Sequence, residues 1–238
     1  MDWQERTRRL LGDEDLERLA NSHVLIAGVG GVGSSCAESL TRAGIGTLTL
    51  IDTDEICITN INRQIPALHS TVGKKKALVM AERLKDINPE LKVNVYDDYV
   101  IDEKVEYYLT LHHYDFVVDA IDTLKPKVQL IEQGLEMGLE MVSAMGAGGK
   151  TDASKAQISK LAKTHQCGLA LAVRKRLRPA FQRRLHVVFS PESIDKSRLE
   201  IRSGMDNKRS IIGTIAYMPA IFGHFCASVA IRQLLNRK

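Results

Sequence analysis

Gly28-Val-Gly-Gly-Val-Gly33 is the first place in the chain where residue type and spacing can do chemistry. The run follows the apolar stretch 23–27 and opens a segment of helical periodicity, the context that gives G-x-G-x-x-G a nucleotide-binding meaning. Gly28, Gly30, Gly31 and Gly33 would let backbone amides and a helix amino end face phosphate unobstructed. Asp52 ends the next apolar run, 47–51, where it can accept hydrogen bonds from ribose hydroxyls. These features alone would suit an NAD-dependent oxidoreductase, but no proton-transfer His stands near a strand end. Beyond Asp52 come Asp54, Asn60, Arg63, Gln64 and Lys76. Two fixed cations, Arg63 and Lys76, suit a triphosphate, because they can neutralise charge developing on a leaving pyrophosphate. Asp122 follows an apolar run and can hold Mg²⁺ between phosphates. The plainer alternatives are a helix N-cap for Asp122 and a solvated helix face for Lys76.

Periodicity supplies elements to position these groups. Strands are expected over 23–27, 47–51, 92–96, 115–118 and 141–144, with helices over 13–21, 34–43, 73–87, 103–112 and 126–138 between them. Alternation of this kind gives a doubly wound, mostly parallel α/β sheet of Rossmann type. After Gly146-Ala-Gly-Gly149 the rhythm breaks into short strands over 156–159 and 186–189 flanking a helix over 169–177. With no repeat and no Pro- or Ser-rich linker, 1–238 is expected to be one domain: a nucleotide-binding core, 1–150, completed by 151–238.

The chain has 238 residues, 44% hydrophobic and 26% charged, which excludes disordered, collagen-like and disulfide-scaffold classes. Cys36, Cys57, Cys167 and Cys226 form no C-x-x-C, so zinc has no support and a reducing cytoplasm is expected. Cys36 and Cys226 read as core, and Cys57 as a loop residue with no charged partner nearer than Glu55. Cys167 lies in a basic, loop-like setting where a lowered thiol pKa would make it a nucleophile. The amino terminus lacks the layout of a secretory signal. Residues 211–231 carry no Asp, Glu, Lys or Arg, but Pro219 interrupts any helical ladder there, so a buried or dimer-forming helix is expected, not a membrane span.

Charge is divided unevenly. Residues 1–150 carry 16 Lys/Arg against 24 Asp/Glu, and 151–238 carry 17 against 5. Between 153 and 191 there are nine cations and no acid. Such a run points to a polyanion, with Arg174, Lys175, Arg176, Arg178, Arg183 and Arg184 as candidate contacts to its phosphates.

Taken in order, Gly28-x-Gly-Gly-x-Gly33, Asp52-x-Asp54, Asn60-x-x-Arg63-Gln64, Gly73-x-x-Lys76 and Asp119-x-x-Asp122 resemble the adenylating family related to ubiquitin-activating enzymes. That family includes bacterial activators of the thiamine and molybdopterin sulfur carriers. The resemblance implies attack by a substrate carboxylate on the α-phosphate of ATP, giving an acyl-adenylate and pyrophosphate. It assigns Gly30 and Gly31 to close approach, Asp52 to ribose, Asn60, Arg63 and Lys76 to phosphates, and Asp122 to magnesium. It also implies a homodimer in which an arginine ahead of the first strand reaches the partner's ATP; Arg9 is the choice, with Arg6 and Arg8 left open. Sulfur-carrier activators usually carry paired C-x-x-C motifs, absent here. Gly146-Ala-Gly-Gly149, Leu161-Ala-Lys-Thr164, Arg174-Lys-Arg-Leu177 and the apolar helix with Ile221-Phe-Gly223 resemble instead the branch that dehydrates threonylcarbamoyladenosine in tRNA. The expected reaction is therefore ATP-dependent activation of that nucleoside's carboxylate and ring closure by its carbamoyl group. The alternatives are adenylation of a sulfur carrier's terminal glycine and, more remotely, an oxidoreductase. A sulfur-transfer partner protein and an alkali-metal ion in the carboxyl third are left open.

Overall fold

The computed structural model describes residues 2–195, 200–201 and 210–236. Part of the basic count over 151–238 falls on 196–199, 202–209 and 237–238, which lie outside the described residues.

Seven strands form one sheet in the order β3-β2-β1-β4-β5-β7-β6. They are β1 (His23–Ala27), β2 (Thr47–Ile51), β3 (Lys92–Tyr96), β4 (Phe116–Asp119), β5 (Met141–Ala144), β6 (Gln157–Lys160) and β7 (His186–Phe189). All pairs are parallel except β6 with β7. The central strands are buried on both faces, which is why they read as continuous apolar runs. Helices α3 (Gly31–Ala43), α4 (Lys76–Ile87), α5 (Glu103–Thr110) and α6 (Leu124–Glu136) are the crossovers. Strand order reverses between β1 and β4, and there the crevice for a ligand opens at the carboxyl edge.

Several boundaries differ from expectation. Helix α4 begins at Lys76 and not at 73, because Gly73 holds φ +85° in a turn ahead of it. Helices α1 (Glu5–Leu11), α2 (Asp13–Ala20), α7 (Gly168–Arg174), α8 (Pro179–Arg184) and α9 (Tyr217–Leu234) complete the described set, apart from short 3₁₀ turns. Sequence reading did not find α1, α8 or the small hairpin of β8 (Glu200–Ile201) and β9 (Ser210–Ile211). Helix α9 (Tyr217–Leu234) is unbroken. Pro219 sits in its first turn, where a backbone N–H has no partner inside the helix, so the expected interruption does not occur. The helix packs on α3 and across β4, β5 and β7. A Cβ added at Gly223 would lie 2.3 Å from Val32 O, so glycine there permits the close crossing of α3 and α9. Among the described residues no helix is long and apolar enough to cross a membrane.

A half-buried ring cluster flanks β1. His23 Nε2 lies 2.8 Å from Thr49 Oγ1, and its ring stands 5.5 Å from His112 and 4.8 Å from Tyr114. Burial and then the neighbouring His112 hold the His23 pKa below its ordinary value, against the pull of Asp115. His186 is lowered for similar reasons, burial first and then Lys160. In both cases the unfolded chain binds the proton more tightly, so stability is full above the unfolded His value of about 6.5 and declines as pH falls below it. Urea midpoints should therefore fall between pH 7.5 and pH 5.5, and His23→Gln should make that decline shallower. A midpoint independent of pH over this range contradicts the assignment.

Candidate active site

The glycine loop separates into two kinds of residue. Gly28 is at φ +90°, and a Cβ on it would lie 2.8 Å from Ala120 O; one on Gly33 would lie 1.8 Å from Gly28 O. The chain itself demands these two glycines. Gly30, the N-cap of α3, is different: a Cβ there would meet only Gln64 Nε2, at 3.7 Å. Bareness at Gly30 leaves space at the amino end of α3 for a ligand, as phosphate binding requires. A Cβ on Gly31 would lie 3.0 Å from Pro219 Cβ of α9 and 3.1 Å from Arg63 O, so α9 backs the loop.

Around this loop the expected residues converge. Asp52 Oδ2 accepts the Val29 N–H at 2.6 Å, and Oδ1 accepts the Asp54 N–H at 2.8 Å, fixing the carboxylate beside the glycines. Burial pushes its pKa up, opposed by Lys76 and by those two amides. Lys76 is buried at the start of α4, with Nζ 2.6 Å from Asp54 Oδ2. It is not a solvated helix-face lysine. Asn60 is buried and its Oδ1 accepts the Cys57 N–H, which closes the turn Ile58–Asn60. Arg63 donates to Thr59 O and Asn62 Oδ1, at 2.9 and 2.7 Å. Gln64 is buried beside the loop, and among the described residues its Oε1 has no hydrogen-bond partner. Arg63 and Gln64 also line a cavity of about 510 Å³ with Ser35, Ser39, Arg42 and His224. Asp122 is exposed at the carboxyl edge, immediately ahead of Thr123, the N-cap residue of α6.

Beneath Asp122 lies a group that sequence reasoning missed. Lys127 and Asp119 are both fully buried and pair at 2.5 Å. Ser143 Oγ donates to the same Asp119 oxygen at 2.5 Å, while Lys127 also donates to Ala144 O at 3.0 Å. The other Asp119 oxygen accepts the Ile121 N–H at 3.1 Å, shaping the turn that carries Asp122. The clue was the spacing of Asp119 and Lys127 across one helix start, but a lysine there is ordinarily solvated.

Two other expectations change in detail. Cys167 is buried at the N-cap of α7, so it is not loop-like, whereas Cys57 is exposed beside the site. The Thr59 hydroxyl and nearby amides lower the Cys57 pKa, and Lys76 adds to this, so a charged neighbour other than Glu55 does act on it. Cys36 and Cys226 are core residues as expected, and burial raises both thiols, Cys226 to about 12. The cations of the basic stretch are partly engaged by acids from elsewhere in the chain. Arg178 pairs with Glu136 and Glu132 of α6, and Arg184 with Glu140. Arg174 is turned inward onto Thr164. Lys175, Arg176 and Arg183 are exposed. Of the three arginines in α1, Arg8 is held by Asp2 and Asp13, Arg9 is 78% exposed and pairs with Glu5, and Arg6 is exposed. Among the described residues no three His, Cys, Asp or Glu side chains gather as a metal cage would need.

A Rossmann-like sheet with this loop and these cations is the architecture of an adenylating enzyme, and the chain belongs to the ThiF family, which it matches over residues 4–238. It is 38% identical to the tRNA threonylcarbamoyladenosine dehydratase of Escherichia coli K12, over 99% of this chain and 95% of that protein. The Haemophilus influenzae protein of the same name is 41% identical, covering 97% and 92%. The crystal structure of the E. coli protein, TcdA, in complex with ATP superposes with a TM-score of 0.88 over 98% of this chain and 95% of that one. A sulfur carrier protein adenylyltransferase of Thermus thermophilus is 31% identical over 56% of this chain and 48% of that protein.

Proposed function

We propose that this chain is an ATP-dependent tRNA threonylcarbamoyladenosine dehydratase. One observation carries this above the rest: Gly30, Asp52, Lys76 and the buried Gln64, whose Oε1 has no hydrogen-bond partner among the described residues, converge on one crevice in a chain whose likeness to a dehydratase covers 99% of its length. The nucleoside's carboxylate oxygen attacks the α-phosphorus of ATP, and the bond to the bridging oxygen of pyrophosphate breaks. Arg63 and Lys76 offset the charge gathering on that leaving group. The carbamoyl group, already held beside the activated carbonyl, then closes the ring and expels AMP. The net change is loss of one water from the nucleoside, and no enzyme thiol is needed, in keeping with the burial of Cys167.

Asp122 fits a magnesium ion shared with phosphates, since such an ion takes one or two carboxylates and not a protein cage. Magnesium there would supply neutralisation of phosphate charge. Asp52 and Asp54 take the ribose side, Asn60 and Gln64 the phosphate side. The protein acts in the cytoplasm as a homodimer, with Arg9 of α1 reaching the partner's nucleotide; its exposure leaves it the freer choice over the doubly paired Arg8.

Arg174, Lys175, Arg176, Arg178, Arg183 and Arg184 form the tRNA face, with the exposed Lys175, Arg176 and Arg183 carrying most of the phosphate binding. Changing Lys175, Arg176 and Arg183 to Gln should flatten the salt dependence of tRNA affinity by about 0.7–0.9 log-log units for each phosphate no longer neutralised, with ATP affinity unchanged. The function itself is tested by incubating bulk tRNA with ATP, Mg²⁺ and the protein and following the nucleoside mass for loss of one water. No loss of water, together with adenylation of a sulfur carrier's terminal glycine, would overturn the proposal in favour of the carrier reading.

A further inference from the structure

Arg63 owes its place to the glycine loop, but its backbone does not aim it. A Cβ on Gly31 would lie 3.1 Å from Arg63 O, which sets the residue beside the amino end of α3. An arginine side chain carries much rotamer freedom, so a fixed posture needs acceptors that hold it. Two are present, and both meet the same nitrogen: Nη1 donates to Thr59 O at 2.9 Å and to Asn62 Oδ1 at 2.7 Å. Among the described residues neither Nε nor Nη2 makes a hydrogen bond. These two groups form one edge of the planar guanidinium, an edge that suits bidentate contact with a phosphate. Holding Nη1 therefore leaves Nε and Nη2 as a matched pair for a ligand.

Asn62 is suited to this by its other end. Its Nδ2 donates to Thr214 O at 2.9 Å, across 152 residues of chain. A carbonyl only accepts, so Thr214 O fixes which way the Asn62 amide faces and turns Oδ1 toward Arg63. The segment that carries Thr214 is itself anchored. Gly149 N–H donates to Gly213 O at 2.8 Å, and the Tyr217 hydroxyl donates to Thr151 O at 2.8 Å. Tyr217 opens α9, whose Pro219 backs Gly31. One amide thus joins the arginine to the chain between β9 and α9 and, through it, to the loop after β5.

Resting on the assignment of Arg63 to the leaving phosphates, we propose that Asn62 is the positioning residue of Arg63: it holds Nη1 so that the edge formed by Nε and Nη2 is preset for a phosphate. In this role Asn62 need touch no substrate, because it acts through the guanidinium. It stands inside Asn60-x-x-Arg63, at a position the motif leaves unspecified. What it contributes is preorganisation, so its effect falls on the charge that grows on the leaving group and not on the fold. Both Asn62 bonds are exposed, and water can replace them without stranding a buried group.

A double-mutant cycle on ATP-to-pyrophosphate exchange, run with tRNA that carries threonylcarbamoyladenosine, tests this. Asn62→Leu removes both bonds at similar volume and should lower exchange about tenfold with thermal melting unchanged, the effect of one lost hydrogen bond to a charged group. Asn62→Asp keeps an acceptor for Nη1 and gives up the donor to Thr214, so it should exchange within about threefold of wild type. In an Arg63→Ala background, Asn62→Leu should change exchange by less than about twofold, because nothing is left to aim. The same cycle read on ATP affinity by calorimetry serves where Arg63→Ala exchanges too slowly to follow. Asn62→Leu within about twofold of wild type, an Asn62→Asp protein as impaired as Asn62→Leu, or additive losses in the cycle overturns the proposal. Undiminished exchange by Arg63→Ala alone would overturn the assignment of Arg63 to phosphate, so the two failures are distinguishable.

Discussion

Lys127→Met should cost the fold about 3–5 kcal/mol, read as a large fall in the urea midpoint. The reason is what remains: Asp119 would be left without its cation and without solvent, held by Ser143 and the Ile121 N–H. Methionine fills the volume but cannot compensate a buried carboxylate. Adding Asp119→Asn to that variant should recover much of the loss, because a neutral amide keeps the acceptor for Ile121 and removes the stranded charge. A loss under about 1 kcal/mol in the single variant would mean that the Lys127–Asp119 pair does not hold the fold.

Lys76→Ala should leave the fold intact and lower the rate of adenylate formation by about 10²–10³, the effect of removing one preorganised charge from a developing anion. The contrast with Lys127 is exposure of the partner. Asp54 is 61% exposed at its side chain, so without Lys76 it is simply hydrated. ATP-to-pyrophosphate exchange reads the rate and thermal melting reads the fold. Undiminished exchange would place Lys76 outside the phosphate path, and a collapsed melting point would make its role structural.

The part of this protein that was legible in its sequence is the part governed by local rules. Buried parallel strands such as Val24–Ala27 announce themselves as uninterrupted apolar runs, and a glycine loop between strand and helix admits few structures. The site residues lie in sequence order along the loops that leave those strands, so their convergence followed from topology. Features made by distant segments were not legible. The basic stretch looked unopposed because Glu132, Glu136 and Glu140 are some 40 residues away from Arg178 and Arg184 and meet them only through packing of α6 and of the turn that leads into β5. Lys127 went unread because nothing in its neighbourhood announces that the start of α6 lies against β5. Pro219 looked disruptive because the position of a helix start, which decides a proline's cost, is set by tertiary contacts as much as by sequence.

The pairing of α3 with α9 bears on how the protein is made. Ser39 and His224, hydrogen-bonded across that contact, are 185 residues apart, and Gly31 of the glycine loop lies against Pro219. During synthesis the phosphate-binding loop therefore emerges early but lacks its backing until α9 has been translated. The early strands must wait with an apolar face uncovered, which makes the nascent chain a client for holding chaperones and makes productive folding a largely post-translational event. A chain stalled or cleaved before α9 would have every motif that names the family and no rigid loop on which to seat a nucleotide.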